Sequence, residues 1–207
     1  MAEAKQQQVL GILASGRGTD LQSIIDATQR GEVHAKIGVV LSDKPDAYAL
    51  VRAKQAGIPA VCVNRKLYDG REPFEEALIQ ELEAKGVTLV VLAGFMRILT
   101  PLFVRHYKGR ILNIHPALLP SFPGAHAHRD VLAYGVKVSG CTIHFVDEGT
   151  DSGPIIAQAT VPVHDDDTEE TLGARVLAEE HRLYPQVIEW YCEGRLHVDG
   201  RKVHIDK

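Results

Sequence analysis

Asn113 and His115 stand two residues apart in Ile111-Leu112-Asn113-Ile114-His115-Pro116, a short apolar run that ends at a proline. On an extended backbone, residues two apart leave the same face. An amide that donates without titrating and an imidazole that can gain or lose a proton therefore converge on one spot. Pro116 cannot donate to a sheet ladder and disfavours helix at His115, so the strand is expected to stop there, with the imidazole at its carboxyl end. In open α/β sheets that end is where ligands bind. A carboxylate, Asp151, lies in the acidic, glycine-rich loop 147–154, which is expected beside the same strand end. Amide, imidazole and carboxylate together suit an acyl transfer without a covalent intermediate, because they supply donors to a developing oxyanion and a group that manages protons. The alternative is that Asn113 satisfies a loop and His115 packs on Pro116.

Other chemistries fit the residue types less well. Ten histidines invite a metal, but there is no His-Glu-x-x-His helix, and Cys62, Cys141 and Cys192 are not spaced as ligands, so no metal is expected. There is no Gly-x-Ser-x-Gly elbow, Ser121 lies between Pro120 and Phe122, and Cys141 falls inside an expected strand. A covalent nucleophile is not favoured. His164, His181, His197 and His204 are expected as surface or satisfied structural histidines.

The elements that must position these groups follow from hydrophobic pattern. Residues 9–14 form a continuous apolar run, as expected of a strand buried on both faces, and lead into Ser15-Gly16-Arg17-Gly18-Thr19-Asp20. Leu21, Ile24 and Ile25 then recur at helical spacing, with Thr19 or Asp20 expected as N-cap. A strand, a glycine turn and a helix amino terminus can seat an anion, phosphate first among them. Arg17-Gly18 replaces the Lys-Ser/Thr of a Walker motif, and Leu21 stands where a dinucleotide fingerprint has its third glycine. The loop by itself reads as either a tight turn or a phosphate seat.

Further buried strands are expected at 36–41, 60–63 and 88–93, alternating with amphipathic helices. This is the pattern of an α/β chain with a doubly wound, mostly parallel sheet, Rossmann-like in its amino-terminal half. Phe95, Met96, Ile98 and Leu99 are either core or an apolar slot for a flat ligand, and Arg97 among them resists a core reading. Thr100-Pro101 reads as a cap and helix start. A short helix at 130–134 and longer strands at 138–146 and 155–163 follow. Thr168 is expected to cap a long helix to about residue 191, bent or interrupted by Pro185. Residues 195–207 form a hairpin about Asp199-Gly200. The reading is one domain over 1–207, with 1–8 a disordered tail.

Composition sets the outer limits. A chain of 207 residues, 45% hydrophobic and 24% charged, can bury one sizeable core. Its net charge of −4 disfavours nucleic acid and membrane surfaces as partners. Three cysteines without a C-x-x-C pair imply reduced, buried thiols, and with no apolar signal core or spanning segment a soluble cytoplasmic protein is expected.

The order of motifs resembles the phosphoribosylglycinamide formyltransferase family, folate-dependent enzymes of purine biosynthesis, over residues 9–194. The matching stretches are Ser15-Gly16-x-Gly18, Leu92-Ala93-Gly94-Phe95-Met96-Arg97-Ile98-Leu99, Asn113-Ile114-His115-Pro116-x-Leu118-Leu119-Pro120, Phe122-Pro123-Gly124, Asp151-x-Gly153-Pro154 and Glu180-His181-x-x-Tyr184-Pro185. The resemblance implies a formyltransferase fold and transfer of a formyl group from 10-formyltetrahydrofolate, a co-substrate, to the primary amine of glycinamide ribonucleotide. It implies that Gly18, Thr19 and Asp20 hold the phosphate end of the ribotide, and that Leu177, Ala178, Glu179 and Glu180 approach its other groups. Arg71, Met96, Arg97, Ile98, Leu99, Asn113, Asp147, Glu148, Gly149, Thr150 and Asp151 are implied for the folate. Asn113, His115 and Asp151 match the catalytic positions, and no metal is implied. One departure is Asp20, where the family more often has Asn. A carboxylate repels a phosphate, so Asp20 is expected to cap the helix while backbone N–H groups and Arg17 carry the anion.

Among relatives of the same chemistry, methionyl-tRNA formyltransferases share Asn-x-His and Leu-Leu-Pro but call for a basic extension, and formyltetrahydrofolate hydrolases carry a regulatory domain that residues 1–8 cannot provide. A non-catalytic sugar-phosphate sensor on the same sheet is the alternative from another class. The expected state is a monomer or homodimer.

Overall fold

The computed structural model describes residues 7–207; the expected tail at 1–8 falls mostly outside the described residues, and Gln8 already belongs to a strand. Among the described residues the strands are β1 Gln8–Leu13, β2 Ala35–Ser42, β3 Ala60–Cys62, β4 Leu89–Leu92, β5 Ile111–His115, β6 Val138–Phe145, β7 Ile155–Pro162, β8 Leu196–Asp199 and β9 Lys202–Ile205. They form one sheet in the order β3-β2-β1-β4-β5-β6-β7-β9-β8. The first five strands are parallel, β6 runs antiparallel to both β5 and β7, and the β8/β9 hairpin joins the edge through a parallel pairing of Ile155 with Lys202.

The helices are α1 Thr19–Gln29, α2 Tyr48–Gln55, α3 Arg71–Ala84, α4 Pro101–His106, α5 Ala127–Tyr134 and α6 Glu169–Cys192. They cover both faces of the sheet, which is why the central strands are apolar at successive positions rather than alternating. Leu10 and Ile12 of β1 pack into one core with Ile24 of α1 and Val187 of α6, while Leu13 faces the other core with Leu78 of α3 and Phe103 of α4. Strand order reverses between β1 and β4, so a crevice opens at their carboxyl ends.

Tyr184 is fully buried on α6, and its hydroxyl donates toward the carbonyls of Leu92, at 2.8 Å, and Leu112, at 3.1 Å. Burial and the nearby carboxyls of Asp20 and Glu180 hold its phenol protonated well above the usual range. The hydroxyl thus ties α6 to the two strands that carry the site.

Several local expectations change. Thr168 and Thr171 form a reciprocal cap at the start of α6, but the helix continues through Pro185 without a break. Tyr184, Val187 and Ile188, all buried around that proline, outweigh one lost rung. Thr100 precedes α4 yet makes no side-chain cap; its N–H and hydroxyl both donate to Glu75, a buried carboxylate on α3. Cys62 is exposed on β3, whereas Cys141 is buried and Cys192 half-buried. The short helix expected at 130–134 begins earlier, at Ala127.

Candidate active site

Strand β5 ends at His115, and Asn113 and His115 share one face, as their spacing requires. The antiparallel register sets Thr142 opposite His115 and His144 opposite Asn113. His115 is 4% exposed. Its Nε2 lies 2.7 Å from the Phe122 carbonyl, which can only accept, so that nitrogen carries a proton. Its Nδ1 lies 3.4 Å from Asp151 Oδ2. Each ring nitrogen thus faces an acceptor, an arrangement that an imidazolium satisfies on both sides.

Asp151 reaches this point from the loop after β6. Its Oδ2 also accepts from the Gly124 N–H at 2.9 Å, and its φ of 51° is a left-handed value uncommon for a residue with a side chain. A Cβ at Gly153 would stand 1.7 Å from the Phe145 carbonyl, so only glycine lets the loop fold back this tightly on the end of β6. Asp147 Oδ1 accepts from Gly149 N–H and Ser152 Oγ, closing the loop on itself.

Asn113, His115 and Asp151 line a cleft of about 350 Å³ together with Met96, Arg97, Ile98, Leu99, Asp147, Gly149 and Thr150. This lies within the roughly 300–1,000 Å³ usual for small-molecule sites. Phe95 and Leu99 are core, but Met96 and Ile98 are 65% and 60% exposed, so the core reading fails for those two side chains. The loop beneath them is pinned. Met96 N–H donates to Ser15 Oγ at 2.9 Å, Arg97 Nε donates to buried Asp43 at 2.7 Å, and Arg71 donates to the Ile98 carbonyl. Arg71 does not line the cleft, and neither does Glu148, whose carboxylate is held outside it by Arg105 at 2.6 Å.

The glycine loop lies elsewhere on the crevice. Gly18, not Thr19 or Asp20, is the N-cap of α1, with φ 71°, and a Cβ there would stand 2.8 Å from Ala49 Cα. Its glycine identity follows from close helix packing and a left-handed backbone, whatever the loop binds. Thr19 and Asp20 form the first turn of α1. Arg52 backs the loop, donating to the Arg17 carbonyl at 2.7 Å.

Asp20 does not cap the helix; its Oδ1 is buried without a hydrogen-bond partner, 3.6 Å from His181 Nε2, which also lacks one. His181, expected as a surface or satisfied structural histidine, thus has a buried Nε2 without a hydrogen bond. Burial pushes the Asp20 carboxyl up to about 6, and burial with Asp20 alongside pushes Glu180 up to about 8. Of the four α6 residues expected here, Glu180 is buried toward Asp20, Leu177 is half-buried, Ala178 is exposed, and Glu179 pairs with Arg182.

A family profile described as formyl transferase matches residues 9–188. The chain belongs to the formyl transferase family. It is 46% identical over 195 residues to the phosphoribosylglycinamide formyltransferase of Escherichia coli (strain K12), covering 94% of this chain and 92% of that one. It is 44% identical over 197 residues to the same-named protein of Haemophilus influenzae, covering 95% and 93%. The crystal structure of glycinamide ribonucleotide transformylase 1 from Symbiobacterium toebii superposes with a TM-score of 0.97 at 48% identity, over 100% of this chain and 98% of that one.

Three groups around the cleft and glycine loop were given no such position by sequence reasoning: His144 beside Asn113, Ser15 beneath Met96, and Arg52 behind the glycine loop. His144 had a legible signal. Thr142 and His144 repeat, two apart on a strand expected to be buried, the polar spacing of Asn113 and His115. Among the described residues no group of three or more His, Cys, Asp or Glu side chains could hold a metal ion, and no helix is long and apolar enough to cross a membrane.

Proposed function

We propose that this formyl transferase moves a formyl group from 10-formyltetrahydrofolate to the primary amine of glycinamide ribonucleotide, in purine biosynthesis in the cytoplasm. The observation that carries the reading is the meeting of Asn113, His115 and Asp151 at the carboxyl end of β5, on the wall of the cleft that Met96 to Leu99 overhang. The folate lies in that cleft, against the pinned backbone of 96–99 and the 147–151 loop. The ribotide phosphate sits at the amino terminus of α1, where free N–H groups and the helix dipole favour an anion, and Glu180 faces its sugar.

The amine nitrogen attacks the formyl carbon and a tetrahedral oxyanion forms. Asn113 donates to that oxygen as a neutral amide. His115 donates an N–H to it as the formyl oxygen displaces the Phe122 carbonyl, and Asp151 supports the charged ring. The carbon–N10 bond then breaks, the former amine loses a proton, and N10 gains one. Two donors aimed where charge develops are worth about 2.7–4 kcal/mol each in comparable sites.

Mixing the protein with glycinamide ribonucleotide and 10-formyltetrahydrofolate, and following deformylation of the folate, tests the reading. Ribotide-dependent deformylation is expected. Ribotide binding without turnover overturns it in favour of a sugar-phosphate sensor.

A further inference from the structure

His144 is 2% exposed and faces the site from β6, directly across the ladder from Asn113. Its Nδ1 lies 2.8 Å from the Phe145 carbonyl. A carbonyl only accepts, so Nδ1 bears the proton. Nε2 lies 3.2 Å from Asn113 Nδ2. Burial lowers the pKa of His144, against the opposing pull of the Phe145 carbonyl and Asp151, so the ring is held neutral. A neutral ring with its proton on Nδ1 presents a lone pair at Nε2, and that lone pair can accept from the amide N–H but repels the amide oxygen.

We propose that His144 is a positioning residue: its Nδ1–H tautomer, fixed by the Phe145 carbonyl, selects the Asn113 rotamer that turns an N–H, rather than the carbonyl oxygen, toward the reacting formyl group. One Nδ2 proton goes to His144, leaving the second for the substrate oxygen. Reversing the amide would set two lone-pair atoms against each other at His144 and two more at the developing oxyanion. The register of β5 on β6 and the single carbonyl of Phe145 thus decide which end of Asn113 meets the substrate.

The other titratable groups acting on the ring are His115 on β5 and, on the loop after β6, Asp147 and Asp151, the latter with Oδ1 3.9 Å from Nε2. If the ring gained a second proton, Nε2 would become a donor aimed at Asp151, and Asn113 would lose its anchor. The proposal rests on the reading of Asn113 as an oxyanion donor, but the tautomer and the amide hydrogen bond exist without substrate.

Two measurements test it. In ¹⁵N-histidine NMR of the ligand-free protein, His144 is expected as the neutral Nδ1–H tautomer near pH 7.5; the Nε2–H tautomer or a charged ring overturns the proposal whatever the enzyme does. In kinetics, His144→Leu is expected to lower kcat on the order of tenfold to a hundredfold, less than full loss of the donor, with KM for both substrates within about twofold. His144→Gln, which can return an acceptor near the Nε2 position, is expected to recover most of that loss.

In an Asn113→Ala background, His144→Leu is expected to cost nothing more. An equal further loss there, or an unchanged kcat in His144→Leu alone, would contradict it. If His144→Leu fails to fold, His144→Gln and the NMR result decide. An Asn113→Ala variant with full turnover would instead refute the oxyanion role while leaving the tautomer result standing, so the two failures are distinguishable.

Discussion

The two ends of the crevice treat buried polar groups in opposite ways. Around β5 the groups are already engaged: His115 lies against Phe122 and Asp151, Asp151 accepts from Gly124, and His144 joins Phe145 to Asn113. At the glycine loop Asp20 Oδ1 and His181 Nε2 are buried, 3.6 Å apart, with no hydrogen-bond partner. A group whose bonds are made in advance costs little reorganisation during a reaction, which suits a place where charge develops. Buried groups left unsatisfied are expensive, by about 1–3 kcal/mol each. A ligand that satisfies them gains that energy on binding. On the proposed function, this contrast separates a preorganised chemical end from a binding end.

Perturbing the chemical end is expected to have the largest effect. His115→Ala should lower kcat by roughly 10²–10⁴-fold, the usual range for a positioned proton-transfer group, with little change in ribotide affinity. Steady-state kinetics alongside ribotide titration checks this; loss of affinity in step with kcat would erase the contrast between the ends. Asp151→Asn removes the charge beside His115 while keeping the shape. A fall in kcat of about 10–100-fold is expected by steady-state kinetics, about 1.4–2.7 kcal/mol at 1.36 kcal/mol per tenfold; an unchanged kcat would contradict the supporting role of the carboxylate.

The binding end responds more in stability and pH dependence. Gly18→Ala places a side chain at φ 71°, with its Cβ 2.8 Å from Ala49 Cα. A left-handed backbone alone costs roughly 1–2 kcal/mol, so urea unfolding should show at least that loss, and ribotide affinity should fall with the displaced loop. Asp20 and Glu180 have folded-state values of about 6 and about 8, both above the usual 3.8 and 4.5. The folded chain then holds more protons than the unfolded one. Stability from this pair is full below about pH 4 and is lost as pH rises through about 6 and then about 8.

Asp20→Asn should flatten the lower part of that profile, an effect on the order of 3 kcal/mol, and at pH 8 should bind ribotide at least as tightly as the parent. A large loss of affinity would contradict the view that this carboxylate opposes the phosphate.

The alternation of buried strands and helices was legible because a doubly covered sheet demands continuous apolar runs, and Asn113 and His115 declared their common face through a spacing of two. Asp151 was found by its motif and chemistry; nothing local to it encodes its left-handed backbone or its contact with Gly124. Thr168 was read correctly as a cap and Thr100 as the N-cap position, but the cap of α1 was misread because an N-cap assignment counts side chains that could bond. In the folded chain Gly18 adopts the geometry alone, while Thr100 bonds Glu75 from 25 residues away. Met96 and Ile98 looked like core by residue type, yet point outward because Ser15 and Arg71 hold the loop backbone and Asp43 holds the Arg97 side chain, from three other segments. Such long-range anchors have no periodic signature. The 3.6 Å approach of Asp20 to His181 without a hydrogen bond likewise depends on how α1 meets α6, which no local pattern records.

The central claim, that chemistry and ribotide binding reside at separate ends, is tested most directly by the Asn113→Ala variant, measuring kcat for folate deformylation and, in parallel, the Kd for glycinamide ribonucleotide. The expected result is a kcat lowered by about 10²–10³-fold, the usual cost of one oxyanion donor, with the ribotide Kd unchanged within about twofold. An unaltered kcat, or a Kd weakened as much as kcat, would contradict it.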